Sequence, residues 1–233
     1  MKIGIMQPYF LPYIGYWQLM NKVDRFVVYD NIQYTKRGWI RRNRILMNNT
    51  DKMITLPIKK DSDFLDIKER FLSERYENEK SKIKNQVKEA YKKAPYYKKI
   101  EPLLIKILDF EDKNLFNYLL NSLRIIKEYL GIKTEIIISS EIEMNHNLKA
   151  EERVIETCKK MEADHYINPI GGTELYNKED FKKEEIKLNF IKTNDIKYKQ
   201  FNNEFIPNLS IIDVMMFNSK EEIKDMLEKY TLE

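Results

Sequence analysis

Apolar residues gather in two short runs near the start of the chain, residues 2–6 and 25–29, at lengths that fit buried strands. Between them Ile14, Trp17, Leu19, Met20 and Val23 return at the spacing of one helical face. The pattern predicts strand, helix, strand, and each strand runs out into polar and aromatic residues. Gln7-Pro8-Tyr9-Phe10-Leu11-Pro12-Tyr13 follows the first. Asp30-Asn31-Ile32-Gln33-Tyr34-Thr35-Lys36-Arg37 follows the second, and a basic segment, Arg41-Arg42-Asn43-Arg44, comes shortly after it. In an α/β sheet, the carboxyl ends of the strands are where small molecules bind. The opening segment therefore says where to look for function.

A third strand is expected over residues 53–58, with Pro57 marking its end. The pattern then turns helical. Ile83, Val87 and Tyr91 recur every four residues in a stretch rich in Lys and Glu that stops at Ala94-Pro95. Helices over 101–110 and 114–130 follow, the second closed by Gly131. Strands return at 134–139, at Tyr166-Ile167 and at 188–191, with a helix over 149–161 that carries Val154, Ile155, Cys158 and Met161 on one face. Ser219-Lys220-Glu221-Glu222 is a capping box for the last helix. Strands alternating with helices in this way imply an α/β fold with a mostly parallel, Rossmann-like sheet. The expected organisation is one domain over 1–233 with a helical insertion at about 66–131.

Charge changes this picture little. Lys and Arg number 41 against 37 Asp and Glu, a net +4 that does not argue for a nucleic-acid partner. Cys158 is the only cysteine, so no intramolecular disulfide is possible and a reducing cytoplasm is expected. Gln7, Pro8 and Pro12 break up the first apolar stretch, and no run elsewhere is long enough for a bilayer, so no membrane insertion is expected.

The candidate chemistry lies at the predicted sheet edge. Prolines stiffen the Gln7–Tyr13 loop, and Tyr9 and Tyr13 fit a wall for a sugar or base, with Phe10 as readily a core plug. Asp30 follows a buried run, where a carboxylate must be solvated, paired or used. Gln33, Tyr34 and Asn43 surround it in sequence, and Lys36, Arg37 and Arg44 suit a phosphate. Ser139, Ser140, Asn168, Gly171 and Gly172 follow later strands, and paired glycines permit close backbone approach to a ligand. No GxGxxG or GxxxxGK[ST] pattern occurs. His146 and His165 have no zinc-ligand spacing, and no metal is expected. Ser210 and Asp213 sit in an apolar stretch, where Asp213 could orient Ser210 or a substrate amine, or the two could simply start a helix.

Taken together, Met6-Gln7-Pro8-Tyr9, Pro12-Tyr13-Ile14-Gly15-Tyr16, Asp30-Asn31-Ile32-Gln33-Tyr34, Ala94-Pro95-Tyr96, Tyr166-Ile167-Asn168 with Gly171-Gly172, and Leu209-Ser210-Ile211-Ile212-Asp213 resemble the WbqC-like family. The resemblance implies work in O-antigen or other surface-polysaccharide (lipopolysaccharide) biosynthesis, and some members carry the label glycine transferase. A more distant similarity links the first strand, loop and helix to the nucleotidylyltransferase-type fold. Here Tyr13-Ile14-Gly15-Tyr16 stands where that fold has His-x-Gly-His. The likeness makes ATP a candidate cofactor, although tyrosine cannot supply the charge of an imidazolium.

The expectation is an enzyme that transfers an aminoacyl group, glycyl among the choices, to an amino sugar linked to a nucleotide. Asp30 would take the amine proton with help from Gln33 and Tyr34. Gln7, Tyr9, Tyr13, Asn43, Ser139, Ser140, Asn168, Gly171 and Gly172 would bind substrate, and Lys36, Arg37 and Arg44 the phosphate. The donor is an ATP-activated amino acid or, less in keeping with the charge, an aminoacyl-tRNA. A nucleotidyltransferase-like reaction and a non-catalytic module of a glycan-assembly complex are the alternatives.

Overall fold

A computed structural model describes residues 1–202 and 204–233. β1 (Lys2–Met6), α1 (Ile14–Lys22) and β2 (Arg25–Val28) form the opening unit. The chain then leaves the sheet for a hairpin, β3 (Arg42–Met47) and β4 (Thr50–Thr55), and for helices α2 (Tyr76–Tyr91), α3 (Tyr97–Leu108) and α4 (Leu115–Leu130). It returns through β5 (Glu135–Ile138), α5 (Ala150–Lys160), β6 (His165–Pro169), α6 (Lys178–Lys183) and β7 (Lys187–Thr193). Helices α7 (Ile211–Phe217) and α8 (Lys220–Leu227) precede the short β8 (Tyr230–Leu232).

The six-stranded sheet has the order β5-β2-β1-β6-β7-β8. Every pair is parallel except β7 with β8. The chain works outward from β1 through β2 to β5, then crosses back to β6 and works outward the other way. This is the order of a Rossmann-like sheet, and its direction reverses between β1 and β6. Register aligns the carboxyl ends. Met6 lies beside Val28, Val28 beside Ile138, and Gly4 beside Ile167, which brings Pro169 level with Met6. Gln7, Tyr29, Ser139 and Ile170 therefore leave the sheet along one line.

One buried cluster joins α1, the helices α2–α4 and α7–α8 on one face; a second joins α5 and α6 on the other. Local signals set the helix ends. Asn114 caps α4 by accepting from Asn117 N–H, Gly131 closes it at φ 73°, and Ser219 and Glu222 form the expected capping box. No helix among the described residues is long and apolar enough to cross a membrane.

Two expectations need correction. The strand expected at 53–58 is β4, but it pairs only with β3 and lies outside the main sheet, where β5 takes the third place. The basic segment around Arg42 is not loop but β3. Its inward residues are Asn43, Ile45 and Leu46, and a polar residue at the first of them hides the strand pattern.

Candidate functional site

The Gln7–Tyr13 loop is fastened from behind. Asn43 donates from Nδ2 to Phe10 O and Leu11 O at 3.1 and 2.8 Å, and Ser210 Oγ donates to Leu11 O at 2.8 Å. Pro12 O accepts from Trp17 Nε1 and from Ile211 N–H. These bonds hold buried Leu11 at φ 47°, a left-handed conformation that leucine rarely adopts. A Cβ at Gly15 would lie 2.5 Å from the Tyr13 ring, so a larger residue there would displace that ring. The loop's back is bonded to the fold while Tyr9 and Tyr13 remain half-exposed at its front.

They line a cleft of about 400 Å³ with Pro12, Trp39, Asn43, Arg44 and Asn208. The Arg44 guanidinium lies 5.7 Å from the Trp39 ring centre and makes only long bonds, 3.3 Å each, to Asp51 and to Asn208 O. Four expected residues, Tyr9, Tyr13, Asn43 and Arg44, thus meet in one place. Asn43 holds the loop rather than offering its amide to a ligand. Trp39 and Asn208 were missed; Trp39, 40% exposed beside a basic run, is the one with a visible sequence signal. We expect Asn43→Ala to lower stability by about 2 kcal/mol, because Phe10 O then loses its side-chain partner. A loss well below 1 kcal/mol in urea denaturation would refute this fastening role.

A second cleft, of about 520 Å³, opens at the ends of β2, β5 and β6. Tyr29, Asn31, Gln33, His146, Arg153 and Tyr176 are among its lining residues. Of the expected residues only Gln33 lies in it, and its amide donates to Asp63 O. Arg153 was missed because it stands in a charged stretch, Ala150-Glu151-Glu152-Arg153, that reads as a solvated helix start.

The expected catalytic trio does not assemble. Asp30 is 3% exposed and accepts from Ser140 N–H and Ser140 Oγ, so its carboxylate ties the loops after β2 and β5. Tyr34 is buried, its ring 5.0 Å from the Arg70 guanidinium, and its hydroxyl has no hydrogen-bond partner among the described residues. Burial raises its pKa, against the opposing pull of Arg41 and Arg70 beside it. Lys36 is exposed and pairs with Asp63, and Arg37 is exposed too; neither lines a described cleft. Ser139 is fully buried. Gln7 lends its carbonyl to the Tyr16 hydroxyl at 3.1 Å, while its side-chain amide bonds no described residue.

Other positions resolve in the same way. Tyr16, which stands where the nucleotidylyltransferase-type fold has its second histidine, is buried against Tyr9, Trp17 and Phe26. Asn168 accepts from the Tyr166 hydroxyl and donates to Pro169 O, so its amide is spent on the turn after β6. Gly171 is exposed with open space around it, whereas Gly172 makes room for Asn168. Ser210 caps α7, and Asp213 bonds Tyr91, Tyr198 and Gln200 rather than Ser210. Cys158 is an inert core thiol, its pKa pushed up to about 12 by burial.

The fold and clefts define an α/β protein of Rossmann-like order with two ligand-sized openings at the carboxyl edge. A sequence model of the WbqC-like protein family matches residues 7–225, and the chain belongs to that family. It is similar to the uncharacterised protein Rv1507c of Mycobacterium tuberculosis (strain ATCC 25618 / H37Rv), 28% identical over 228 residues and 97% of each chain. No solved structure matches it.

Proposed function

We propose that this protein transfers an aminoacyl group, glycyl in the simplest case, to the amine of a nucleotide-linked amino sugar during surface-polysaccharide assembly. The transfer chemistry rests on the family resemblance. The observation that supports a sugar-phosphate ligand is the first cleft. Tyr9, Tyr13 and Trp39 offer flat apolar faces for a ring, and Arg44 offers a loosely held guanidinium for phosphate. In the reaction the sugar amine forms a C–N bond to the acyl carbon. The activating group leaves with its bonding electrons, and the surplus amine proton passes to solvent. ATP would enter as the source of activation.

The test is to incubate the protein with ATP, glycine and a panel of nucleotide-linked amino sugars and to weigh the products. A mass gain of one glycyl residue on one acceptor is the expected result. Tyr13→Ala and Trp39→Ala should cut the yield roughly tenfold or more while the far-ultraviolet spectrum stays that of the parent, since each removes one stacking face. If no acceptor gains mass with free or tRNA-bound amino acid, acyl transfer is wrong. If product forms equally in both variants, the acceptor does not sit in this cleft.

A further inference from the structure

We propose that the second cleft is a phosphate site, in which Arg153 and the start of α5 hold the phosphate or diphosphate of a small molecule. The argument begins with an unbalanced charge. Arg153 is only 8% exposed, yet no carboxylate oxygen of the described residues lies within 4.0 Å of its guanidinium. Its partners are the neutral Asn31 O, Asn31 Oδ1 and Ser139 Oγ, with the Tyr29 ring 5.0 Å beneath it, and its Nε has none. Burying a cation without a counter-charge is costly. Beside an open cleft of about 520 Å³, an anionic ligand is the natural compensation.

The neighbouring groups are donors as well. Asn31 Oδ1 accepts from Arg153, so its Nδ2 must be the group that meets His146 Nδ1 at 3.0 Å. Nδ1 then accepts, and the neutral ring carries its proton on Nε2, which has no partner among the described residues. Lys149 lines the cleft in the cap position of α5, makes no ion pair among the described residues, and leaves the helix start without a side-chain cap. The N–H groups of that first turn are free for an anion. Three acids lie nearby, Asp66 in the cleft lining and Glu151 and Glu152 in the first turn of α5, but none of them is within 4.0 Å of the Arg153 guanidinium. Asp66 caps the turn at Ile67–Glu69, and Glu151 accepts from Asn177 N–H. A guanidinium fork, an imidazole N–H, an ammonium and a helix start suit the several oxygens of a phosphate.

This inference does not rest on acyl transfer, because binding is read directly. Calorimetric titration of the full chain with inorganic pyrophosphate, UDP and ATP is the test. Pyrophosphate should bind, and tighter binding of UDP or of ATP tells whether a sugar nucleotide or an activating nucleotide supplies the group. Arg153→Lys should weaken pyrophosphate roughly tenfold to hundredfold, through loss of the fork. Lys149→Ala, at an exposed position, should weaken it about threefold with the melting temperature unchanged, which guards against a merely misfolded Arg153 variant. Lys36→Ala should change nothing. The proposal is overturned if none of the three binds, or if binding is the same in Arg153→Lys and Lys149→Ala as in the parent.

Discussion

Asp213→Ala is expected to lower the unfolding free energy by on the order of 3–5 kcal/mol, read as a fall in the urea midpoint at constant slope. Asp213 is fully buried in α7 and makes no ion pair among the described residues. It accepts from Tyr91 Oη at 2.8 Å and from Tyr198 Oη and Gln200 Nε2 at 2.6 Å each. Tyr91 also accepts from Leu46 N–H, and Gln200 exchanges two bonds with Ile206. One carboxylate thus joins β3, α2, α7 and the stretch that carries Tyr198 and Gln200. Alanine would leave the Tyr91 and Tyr198 hydroxyls without an acceptor and take one of two acceptors from Gln200 Nε2. Asp213→Asn is a milder change: its amide oxygen can still accept from Tyr198 and Gln200, and its Nδ2 can donate to Tyr91. A loss under about 1 kcal/mol in the alanine variant would show that the network relaxes at little cost.

The same residue sets a pH dependence. Burial raises the Asp213 pKa above its ordinary 3.8, against the opposing pull of its three donors. The folded chain therefore binds this proton more tightly than the unfolded chain does. Its contribution to stability is fully present below the ordinary carboxylate range and is lost as pH rises through the raised folded value. Stability of the parent relative to Asp213→Asn should fall from pH 4 upward. A difference that grows with pH would contradict the assignment.

The strands β1, β2 and β5 were legible because both faces of a parallel sheet are covered and their residues are nearly all apolar, whereas β6 and β7 showed only through short apolar cores, Tyr166-Ile167 and Phe190-Ile191. Most helices were legible through residues such as Ile83, Val87 and Tyr91, which bury one stripe, but the short, charged α6 was not. β3 was not, because Asn43 occupies an inward position to hold Phe10 and Leu11. Half of the first cleft was legible, since aromatic residues beside prolines have few roles at a strand's end. Asn208 lies 164 residues from its partner Arg44, and nothing local marks the encounter. Asp30 misled for a related reason. Sequence shows that a buried carboxylate must have partners, but not that they would be the N–H and hydroxyl of Ser140, 110 residues away. The sequence showed which residues needed an explanation; only their long-range partners supply it.

The paired glycines carry the sharpest contrast. A Cβ on Gly172 would lie 1.8 Å from Asn168 Nδ2 and 3.1 Å from its Cγ, whereas one on Gly171 would meet nothing within 4 Å. Asn168 is 6% exposed and bonded at both ends of its amide, so it cannot swing aside freely. Displacing it strips the acceptor from the buried Tyr166 hydroxyl and frees Pro169 O. Gly172→Ala should therefore cost about 3 kcal/mol, overpacking and a lost buried bond together. Gly171→Ala should stay within about 0.5 kcal/mol of the parent. The disturbance should also reach the second cleft, because Tyr176 lines it and sits 3.5 Å from the same Cβ position. Adding Asn168→Ala to Gly172→Ala removes the obstructing amide, so the double variant should lose at least about 1 kcal/mol less than the two single losses added together. Equal losses for the two glycines, or strict additivity with Asn168→Ala, would mean that Gly172 is needed for some reason other than the side chain pressed against it.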